Sequence, residues 1–233
     1  MGTTSTTSAP AACWACNAAL ENSAVLCPVC SKVQPASGAD YFQVFGLDRK
    51  LNLNTPELER EFHRLSRKLH PDRFARASAH EQEWSLANTA LLNDAYRTLR
   101  DPLQRTEYLL KLTGLKIGEE NAGSGKSPDR QPPADLLEEV FELNMQLEEM
   151  RMNQKMGEED PILLRDLTQA RTNFEGLLAG VDNDLAAEGA KWDAGNAEAK
   201  DKAANSMAML LDRRRYLRNL VRDVNEVLTT AVI

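Results

Sequence analysis

Four cysteines near the N-terminus have the spacing of a metal site. Two Cys-x-x-Cys pairs, Cys13 with Cys16 and Cys27 with Cys30, are separated by ten residues, which is enough chain for a short hairpin. Two pairs of this kind can place four thiolates around one tetrahedral Zn²⁺ at about 2.3 Å per Zn–S bond. We therefore predict a structural zinc ion, with no ligand position left open for catalysis.

Two other roles for the cysteines are less favoured. Disulfides persist in oxidising compartments, and nothing in this sequence is typical of a secreted protein. A redox Cys-x-x-Cys motif occurs singly and opens a helix, whereas two motifs follow each other closely in this chain. A module as small as residues 13–38 cannot build its own core, so a bound metal would supply its folding free energy.

The stretch "LHPDRF", residues 69–74, places a proline where an amphipathic helix should continue. Pro71 has no N–H and disfavours α geometry in the residue before it, so we predict that the helix ends at about Leu69. His70 and Asp72 then lie in an exposed loop. The stiff proline between them holds an imidazole and a carboxylate at a defined separation.

The helix before this loop combines two kinds of side chain. Apolar residues spaced by four, three and four fall on one face: Leu58, Phe62, Leu65 and Leu69. Basic residues form a stripe beside them, here called the basic stripe: Arg60, Arg64, Arg67 and Lys68. Charge runs of this kind are commonly only solvated helix faces. Because this one ends at a rigid His-Pro-Asp loop, it suits docking to an acidic protein partner.

The elements that position these residues are predicted to be helices. The chain has 233 residues, of which 42% are hydrophobic and 27% are charged, as in a soluble protein with a core. Its net charge of −7 argues against a protein whose main work is to hold nucleic acid. No apolar run approaches the length that spans a bilayer, so we expect no membrane partner.

Four helical segments are predicted in the middle of the chain. The first, "DYFQVFGL", is short and closed by Gly46, and the second starts with Thr55 as N-cap and Pro56 in its first helical position. The third covers Ala79–Arg100, and Asp101 caps the fourth. The third should bury Trp84, Leu92, Ala95 and Leu99.

Shifts in composition divide the chain into five segments: a disordered N-terminus (1–12), the cysteine module (13–38), a helical domain (40–112), a linker rich in Gly and Pro (113–133) and a C-terminal bundle (134–230). In the bundle, helices are predicted over Ala134–Met156, from Asp160 onwards, and around residues 207–228. The boundary near 181–200 is left open because that stretch is rich in Ala, Gly and Asn. Long helices with short connections favour an antiparallel three-helix bundle, so the predicted fold class is mostly α.

The order of motifs in residues 40–112 resembles the J domain, the activating module of DnaK-type chaperones. The signature consists of "YFxxFGL", the basic helix, His-Pro-Asp followed by Arg and Phe, and "LNDAYRTLRDP". The resemblance implies that His70, Pro71 and Asp72 contact the chaperone at its ATPase and linker region and stimulate ATP hydrolysis. It also implies that the basic stripe steers the domain towards the chaperone's acidic face.

The chain as a whole is similar to the HscB-type co-chaperones of iron–sulfur cluster biogenesis. "CWACxxxL…CPVCxxxQP" matches the zinc-binding extension of their eukaryotic members, and "RDPLQRTEYLLKLTG" followed by a three-helix bundle matches their C-terminal part. General J-domain chaperones have instead a Gly/Phe-rich stretch and β-rich substrate domains. The resemblance implies that the chain binds the scaffold protein that carries a nascent cluster and hands it to a dedicated chaperone.

The resemblance also assigns a scaffold-binding face. It implies contacts from Leu137, Glu138, Phe141, Glu142, Met145 and Tyr216. Leu137, Phe141 and Met145 are four residues apart and form one helix stripe, here called the Leu137 stripe. An acidic residue that the family has at the position of Met145 is absent. The alternative is that the stripe is bundle core, but a neighbouring set makes a better core: Leu136, Val140, Leu143 and Leu147.

Two other functions fit parts of the sequence: a general protein-folding J-domain co-chaperone, and a zinc-ribbon nucleic-acid binder with an accessory J domain. The second is disfavoured because Lys32 is the only basic residue of the cysteine module. An enzyme is not expected, since His70 and Asp72 have no nucleophilic serine motif, phosphate loop or acidic metal cluster beside them. The family resemblance implies the mitochondrial matrix, although no transit peptide is visible and the cytoplasm is the alternative. A homodimer is left open.

Overall fold

The computed structural model describes residues 11–20, 24–35, 38–115 and 133–230. Helices dominate these residues, and the mostly α class predicted from the sequence is confirmed. Residues 1–10 of the predicted disordered N-terminus and most of the predicted linker lie outside the described residues. The chain divides into two compact units, residues 1–109 and 110–233.

The cysteine module is built from two small hairpins, each with one Cys-x-x-Cys pair at its turn. In the first hairpin, β1 (Ala11–Ala12) pairs antiparallel with β2 (Ala19–Leu20). In the second, Leu26 and Val33 form an isolated antiparallel bridge. Because Ala11 and Ala12 form a strand, the prediction of a disordered segment over residues 1–12 is wrong at its last two residues.

Four helices follow the cysteine module: α1 (Tyr41–Val44), α2 (Thr55–Leu69), α3 (Ala79–Arg100) and α4 (Pro102–Leu112). The helix α3 is central, because both α1 and α2 pack against it. The apolar face predicted for α2 is turned inwards, with Leu58, Leu65 and Leu69 buried and Phe62 half-buried. This arrangement places the end of α2, and the His-Pro-Asp loop after it, beside α3.

Two details of these helices differ from the sequence prediction. Asn54 caps α2 through its side chain, and Thr55, the predicted cap, is the first helical residue. Trp84 is half-buried and not buried, and its ring packs edge-on against Trp14 of the cysteine module. Asp101 caps α4 as predicted, with its carboxylate accepting two backbone N–H groups at 2.9 Å.

Three long helices form the second unit: α5 (Leu137–Met156), which follows one turn of 3₁₀ helix at Ala134–Leu136, α6 (Pro161–Ala194) and α7 (Ala197–Thr230). Gly157 ends α5 in the left-handed conformation at φ 71°, which glycine adopts without strain. The boundary left open by the sequence falls at Gly195, where a side-chain Cβ would lie 2.8 Å from the carbonyl oxygen of Lys191.

The core of this unit comes from all three helices. It is formed by buried residues such as Val140, Leu143, Leu147, Leu167, Phe174, Met207, Leu217 and Val224. The four residues proposed from the sequence as the core stripe of the first bundle helix are all buried. Within the described part of the chain, no helix combines the length and apolarity needed to cross a bilayer.

Candidate metal centre and docking surfaces

The structure brings the four cysteine sulfurs together. Their Sγ atoms all lie within 4.8 Å of one another, with Cys13 and Cys30 3.6 Å apart and Cys16 and Cys27 3.7 Å apart. Sulfurs bound tetrahedrally at about 2.3 Å from one ion would be about 3.8 Å apart. The four thiols therefore fit a single tetrahedral ion and would occupy all of its coordination positions.

The two Cys-x-x-Cys turns have the same backbone geometry. In each, the N–H of the fourth residue after the first cysteine donates to that cysteine's carbonyl at 2.9 Å: Asn17 to Cys13, and Ser31 to Cys27. Asn17 and Ser31 both have a φ of 57°, which lies in the left-handed region. The repeated turn explains how one sequence pattern places two sulfur pairs on the same centre.

The pKa values of the Cys13 and Cys16 thiols are shifted in opposite directions. Burial alone would raise the pKa of the Cys13 thiol, but hydrogen bonds from the backbone of Ala15 and Cys16 and from neighbouring thiols lower it to about 6. A backbone hydrogen bond from Ala18 favours the Cys16 thiolate, but burial and the neighbouring sulfurs outweigh it and raise the pKa of Cys16 to about 12. Four thiolates this close cannot coexist at neutral pH unless a positive ion lies among them.

The cysteine module rests on α3 through polar contacts that the sequence analysis did not find. The buried Gln34 amide donates to the Sγ of Cys13 at 3.4 Å, and the Gln34 carbonyl accepts from the Asn88 amide at 2.8 Å. At the edge of the module, the Lys32 ammonium forms an ion pair of 2.8 Å with the buried Glu81. These contacts join residues 49 to 54 apart in sequence, so no local pattern could have shown them.

The His-Pro-Asp loop has exposed side chains on a fixed base. His70 and Asp72 are exposed, and the His70 Nδ1 accepts the Asp72 N–H at 3.3 Å. Residues Pro71–Phe74 form one turn of 3₁₀ helix, so the stretch predicted as a loop is more regular than expected. The helix α2 ends at Leu69, as predicted from the proline.

Two hydroxyl groups of α3 hold the base of this loop. The Leu69 carbonyl would be left without its helical partner because the helix stops there. It accepts from the Ser85 hydroxyl at 2.6 Å and from the Thr89 hydroxyl at 3.2 Å. The imidazole and carboxylate that follow are therefore presented from a backbone that cannot easily shift.

All four residues of the basic stripe are exposed. One of them, Arg64, is paired within its own helix, because its Nε donates to the Glu61 carboxylate at 2.6 Å. This hydrogen bond raises the pKa of Arg64 and lowers the pKa of Glu61. The charge available to a partner therefore comes chiefly from the other three members: Arg60, Arg67 and Lys68.

The Leu137 stripe is exposed to solvent. Leu137 is 51% exposed, Phe141 69% and Met145 58%, while the core side of the same helix is buried. Glu138 and Glu142 are also exposed and flank the stripe. Two further exposed methionines, Met152 and Met156, extend the stripe to the end of α5, over about 28 Å of helix. These two were missed by the sequence analysis, although their spacing could have revealed them.

Tyr216 lies on α7, whereas the Leu137 stripe lies on α5. It is half-buried on α7, where burial raises the pKa of its phenol. It lines an open groove of about 810 Å³ together with Met209, Arg213 and Lys191. No residue of the Leu137 stripe is among the residues that line this groove. Five of the six predicted scaffold-binding residues therefore lie along α5, and the sixth lines a groove that also includes Pro133, just before the start of that helix.

Comparison with known proteins agrees with this architecture. The family model of the DnaJ domain matches residues 40–108, which include the His-Pro-Asp loop and the helices on either side. The crystal structure of the human co-chaperone protein HscB aligns with a TM-score of 0.63 and 25% identity, covering 92% of this chain and 97% of that one. The chaperone HscB from Vibrio cholerae aligns with a TM-score of 0.52 at 24% identity, covering 81% and 97%, which shows likeness of fold alone.

The fold and the loop together define a J-domain protein that carries a cysteine module before the J domain and a helical bundle after it. The iron-sulfur cluster co-chaperone protein HscB of Homo sapiens is 33% identical over 180 residues, which are 76% of this chain and 74% of the relative. The corresponding protein of Mus musculus is 33% identical over 150 residues, 63% of this chain and 61% of the relative. The chain belongs to the HscB family of iron–sulfur cluster co-chaperones.

Proposed function

We propose that this chain is an adaptor. It binds the scaffold protein of iron–sulfur cluster assembly, delivers it to a DnaK-type chaperone and stimulates the chaperone's ATPase so that the cluster is transferred. The observation that carries the proposal is the presence of two exposed recognition surfaces on separate units. One is the His-Pro-Asp loop with its basic stripe, and the other is the Leu137 stripe.

The chaperone-binding surface works through fixed polar groups and long-range charge. His70 and Asp72 offer a ring nitrogen and a carboxylate from a base held by α3, so little ordering is needed when a partner binds. Arg60, Arg67 and Lys68 would raise the rate of encounter with an acidic face more than the final affinity. The loop acts by contact, and ATP hydrolysis takes place on the chaperone. In keeping with this, we propose no enzymatic activity for the chain itself.

The scaffold-binding surface works through burial of apolar side chains. An exposed aromatic flanked by an exposed Leu and Met, at 69%, 51% and 58%, is what an interface centre needs. Methionine adapts its shape to a partner, and Met145, Met152 and Met156 supply it along one helix. Glu138 and Glu142 provide a polar margin to the stripe.

We propose that the cysteine module holds one structural Zn²⁺. Cys13, Cys16, Cys27 and Cys30 would be its ligands, and the ion would supply the folding free energy of a module with only a small core of its own. The zinc-ribbon nucleic-acid reading is weakened by the structure, because Lys32, the one basic side chain of the module, is engaged by Glu81. We propose the mitochondrial matrix as the compartment, which cell fractionation would test. Measurement of the molecular mass in solution would show whether the chain forms a homodimer.

A single-turnover ATPase assay separates the proposal from a general folding co-chaperone. The hydrolysis rate of a DnaK-type chaperone is measured with this chain, with an iron–sulfur scaffold protein, and with both. An adaptor stimulates most strongly when both are present, and Phe141→Ala removes that added effect while leaving stimulation by the chain alone. A general folding co-chaperone would stimulate equally with any unfolded substrate and would show no binding to the scaffold protein.

A further inference from the structure

One face of α3 carries buried polar residues with partners on both sides. Glu81, Ser85 and Asn88 are spaced by four and three residues, so they lie along one stripe of the helix, and all three are buried. Buried polar groups are costly unless they are hydrogen-bonded. Glu81 and Asn88 find their partners in the cysteine module, and Ser85 finds its partner at the end of α2.

A continuous chain of hydrogen bonds leads from the metal centre to this face. The side-chain amide of Gln34 donates to the Sγ of Cys13, and the backbone carbonyl of Gln34 accepts from the Asn88 side-chain amide at 2.8 Å. The Asn88 Oδ1 has no hydrogen-bond partner in the described part of the chain, so this buried amide is paired through its Nδ2, which donates to the Gln34 backbone carbonyl. The Trp14 ring, between the first two cysteines, also meets Trp84 of α3 edge-on at 5.7 Å.

The same stretch of α3 holds the base of the His-Pro-Asp loop. Ser85 lies one turn before Asn88, and Thr89 follows Asn88 directly, and both hydroxyls donate to the Leu69 carbonyl. Leu69 is fully buried and is followed at once by His70. A shift of α3 at Asn88 would therefore act on the group that fixes the loop.

We propose that the metal centre and the His-Pro-Asp loop are coupled through α3. Metal binding joins the two hairpins and fixes Gln34 between them, because its N–H donates to the Val25 carbonyl and its side-chain amide to the Cys13 sulfur. The Gln34 backbone carbonyl then holds the Asn88 amide and steadies the helix that supports Leu69. Loss of the metal lets the hairpins shift and weakens the hydrogen bond to the buried Asn88 amide, which is destabilising. The inference rests on the proposed metal site, and it makes Gln34 and Asn88 positioning residues that act without touching the chaperone.

Coupling of this kind is reciprocal, because two sites that stabilise each other do so by the same factor. A change in the J domain should therefore weaken metal binding. Asn88→Ala should raise the dissociation constant for Zn²⁺ by about fivefold or more, the lower end of the usual coupling between sites, because Asn88 acts on the ligand Cys13 through Gln34. The measurement is competition for Zn²⁺ with a chromogenic chelator of known affinity, using the full chain.

The matched control is Thr106→Ala. Thr106 is also a buried polar residue of the J domain and also loses one hydrogen bond, to the Pro102 carbonyl, but it lies on α4, outside the chain of contacts from Cys13 to Leu69. Its Zn²⁺ dissociation constant should stay within about twofold of the original chain. If Asn88→Ala does not fold, Gln34→Leu replaces it. This change removes the side-chain amide that donates to the Cys13 sulfur but keeps the backbone carbonyl that accepts from Asn88, so it breaks the chain of contacts at its metal end.

The reverse direction is measured by hydrogen exchange of the amides in the last turn of α2 and in residues 70–74. Removing Zn²⁺ from the original chain should speed this exchange by about tenfold, within the usual range of coupling between sites. In Gln34→Leu, exchange should already be fast and should change little when the metal is removed. Unchanged Zn²⁺ affinity in both variants, or exchange that does not respond to Zn²⁺ in the original chain, overturns the coupling. Metal analysis that finds no bound ion would instead overturn the metal site on which it rests.

Discussion

Phe141→Ala distinguishes a docking surface from bundle core in a single variant. A phenylalanine side chain presents about 200 Å² of surface, and with 69% of Phe141 exposed, about 140 Å² is available to a partner. At about 25 cal/mol per Å², complete coverage would contribute about 3.5 kcal/mol to binding. Alanine keeps its Cβ and coverage is seldom complete, so a loss of about 2 kcal/mol is the expected lower figure. The dissociation constant for the scaffold protein should rise about thirtyfold.

The stability of the variant should hardly change. Because most of the Phe141 side chain is exposed, its truncation should lower the free energy of unfolding by about 0.5 kcal/mol, as for other surface positions. The matched control is Leu143→Ala, two positions further along α5 and only 1% exposed. That change leaves a cavity and should cost about 2–5 kcal/mol of unfolding free energy.

Two measurements on the same samples decide the outcome. Calorimetric titration with an iron–sulfur scaffold protein gives the affinity, and chemical denaturation followed by circular dichroism gives the stability. We expect Phe141→Ala to bind weakly and unfold like the original chain, and Leu143→Ala to show the opposite. A Phe141→Ala protein that binds with unchanged affinity, or that loses as much stability as Leu143→Ala, would refute the assignment of the Leu137 stripe as a docking surface.

Three further predictions concern other parts of the chain. His70→Gln should abolish stimulation of the chaperone ATPase, because the exposed imidazole is available to contact the chaperone. The affinity for the scaffold protein should stay unchanged in the same titration. Normal stimulation would show that the loop does not contact the chaperone. Cys13→Ser with Cys16→Ser should reduce bound zinc from about one ion per chain to none by metal analysis, with the J-domain helices retained, since two of four ligands are lost; zinc retained in full would rule out the four-cysteine site. Arg213 lowers the pKa of Asp135 through hydrogen bonds of 2.7 and 3.0 Å. This pair therefore stabilises the start of α5 at pH values above about 4, the pKa of an aspartate in the unfolded chain. The stabilisation is lost as the pH falls through the lower pKa that Asp135 has in the folded chain. The protection of the amides at residues 134–138, relative to the intrinsic exchange rate at each pH, should therefore fall on acidification below about pH 4. An Arg213→Gln protein with the same pH dependence would contradict this cause.

Local chemistry was readable from the sequence because each signal lies within a few residues. The proline at position 71 ended α2 where predicted, Asp101 capped α4, and Gly157 closed α5. The distinction between the Leu137 stripe and the core stripe beside it also followed from helical spacing. The error at Thr55 has the same local origin, because Asn54 and Thr55 are both good caps and the sequence does not say which one stays outside the helix.

Contacts between distant segments could not be predicted in the same way. Gln34 and Asn88 are 54 residues apart, and Lys32 and Glu81 are 49 apart. Nothing in either stretch alone shows that a two-hairpin module will rest on the third helix after it.

The buried polar residues of α3 show why such contacts carry function. By helical spacing alone, Glu81, Ser85 and Asn88 interrupt an apolar face and look unfavourable for packing. Each is buried nonetheless, and each contacts a segment that has to be positioned: the cysteine module for Glu81 and Asn88, and the carbonyl before His70 for Ser85. An apolar side chain at these positions would pack α3 at least as well but could hold neither segment. Polar residues at buried helix positions go against the usual apolar pattern. Where each of them is hydrogen-bonded to a distant segment, we expect that the fold has exchanged some packing for the positioning of a functional site.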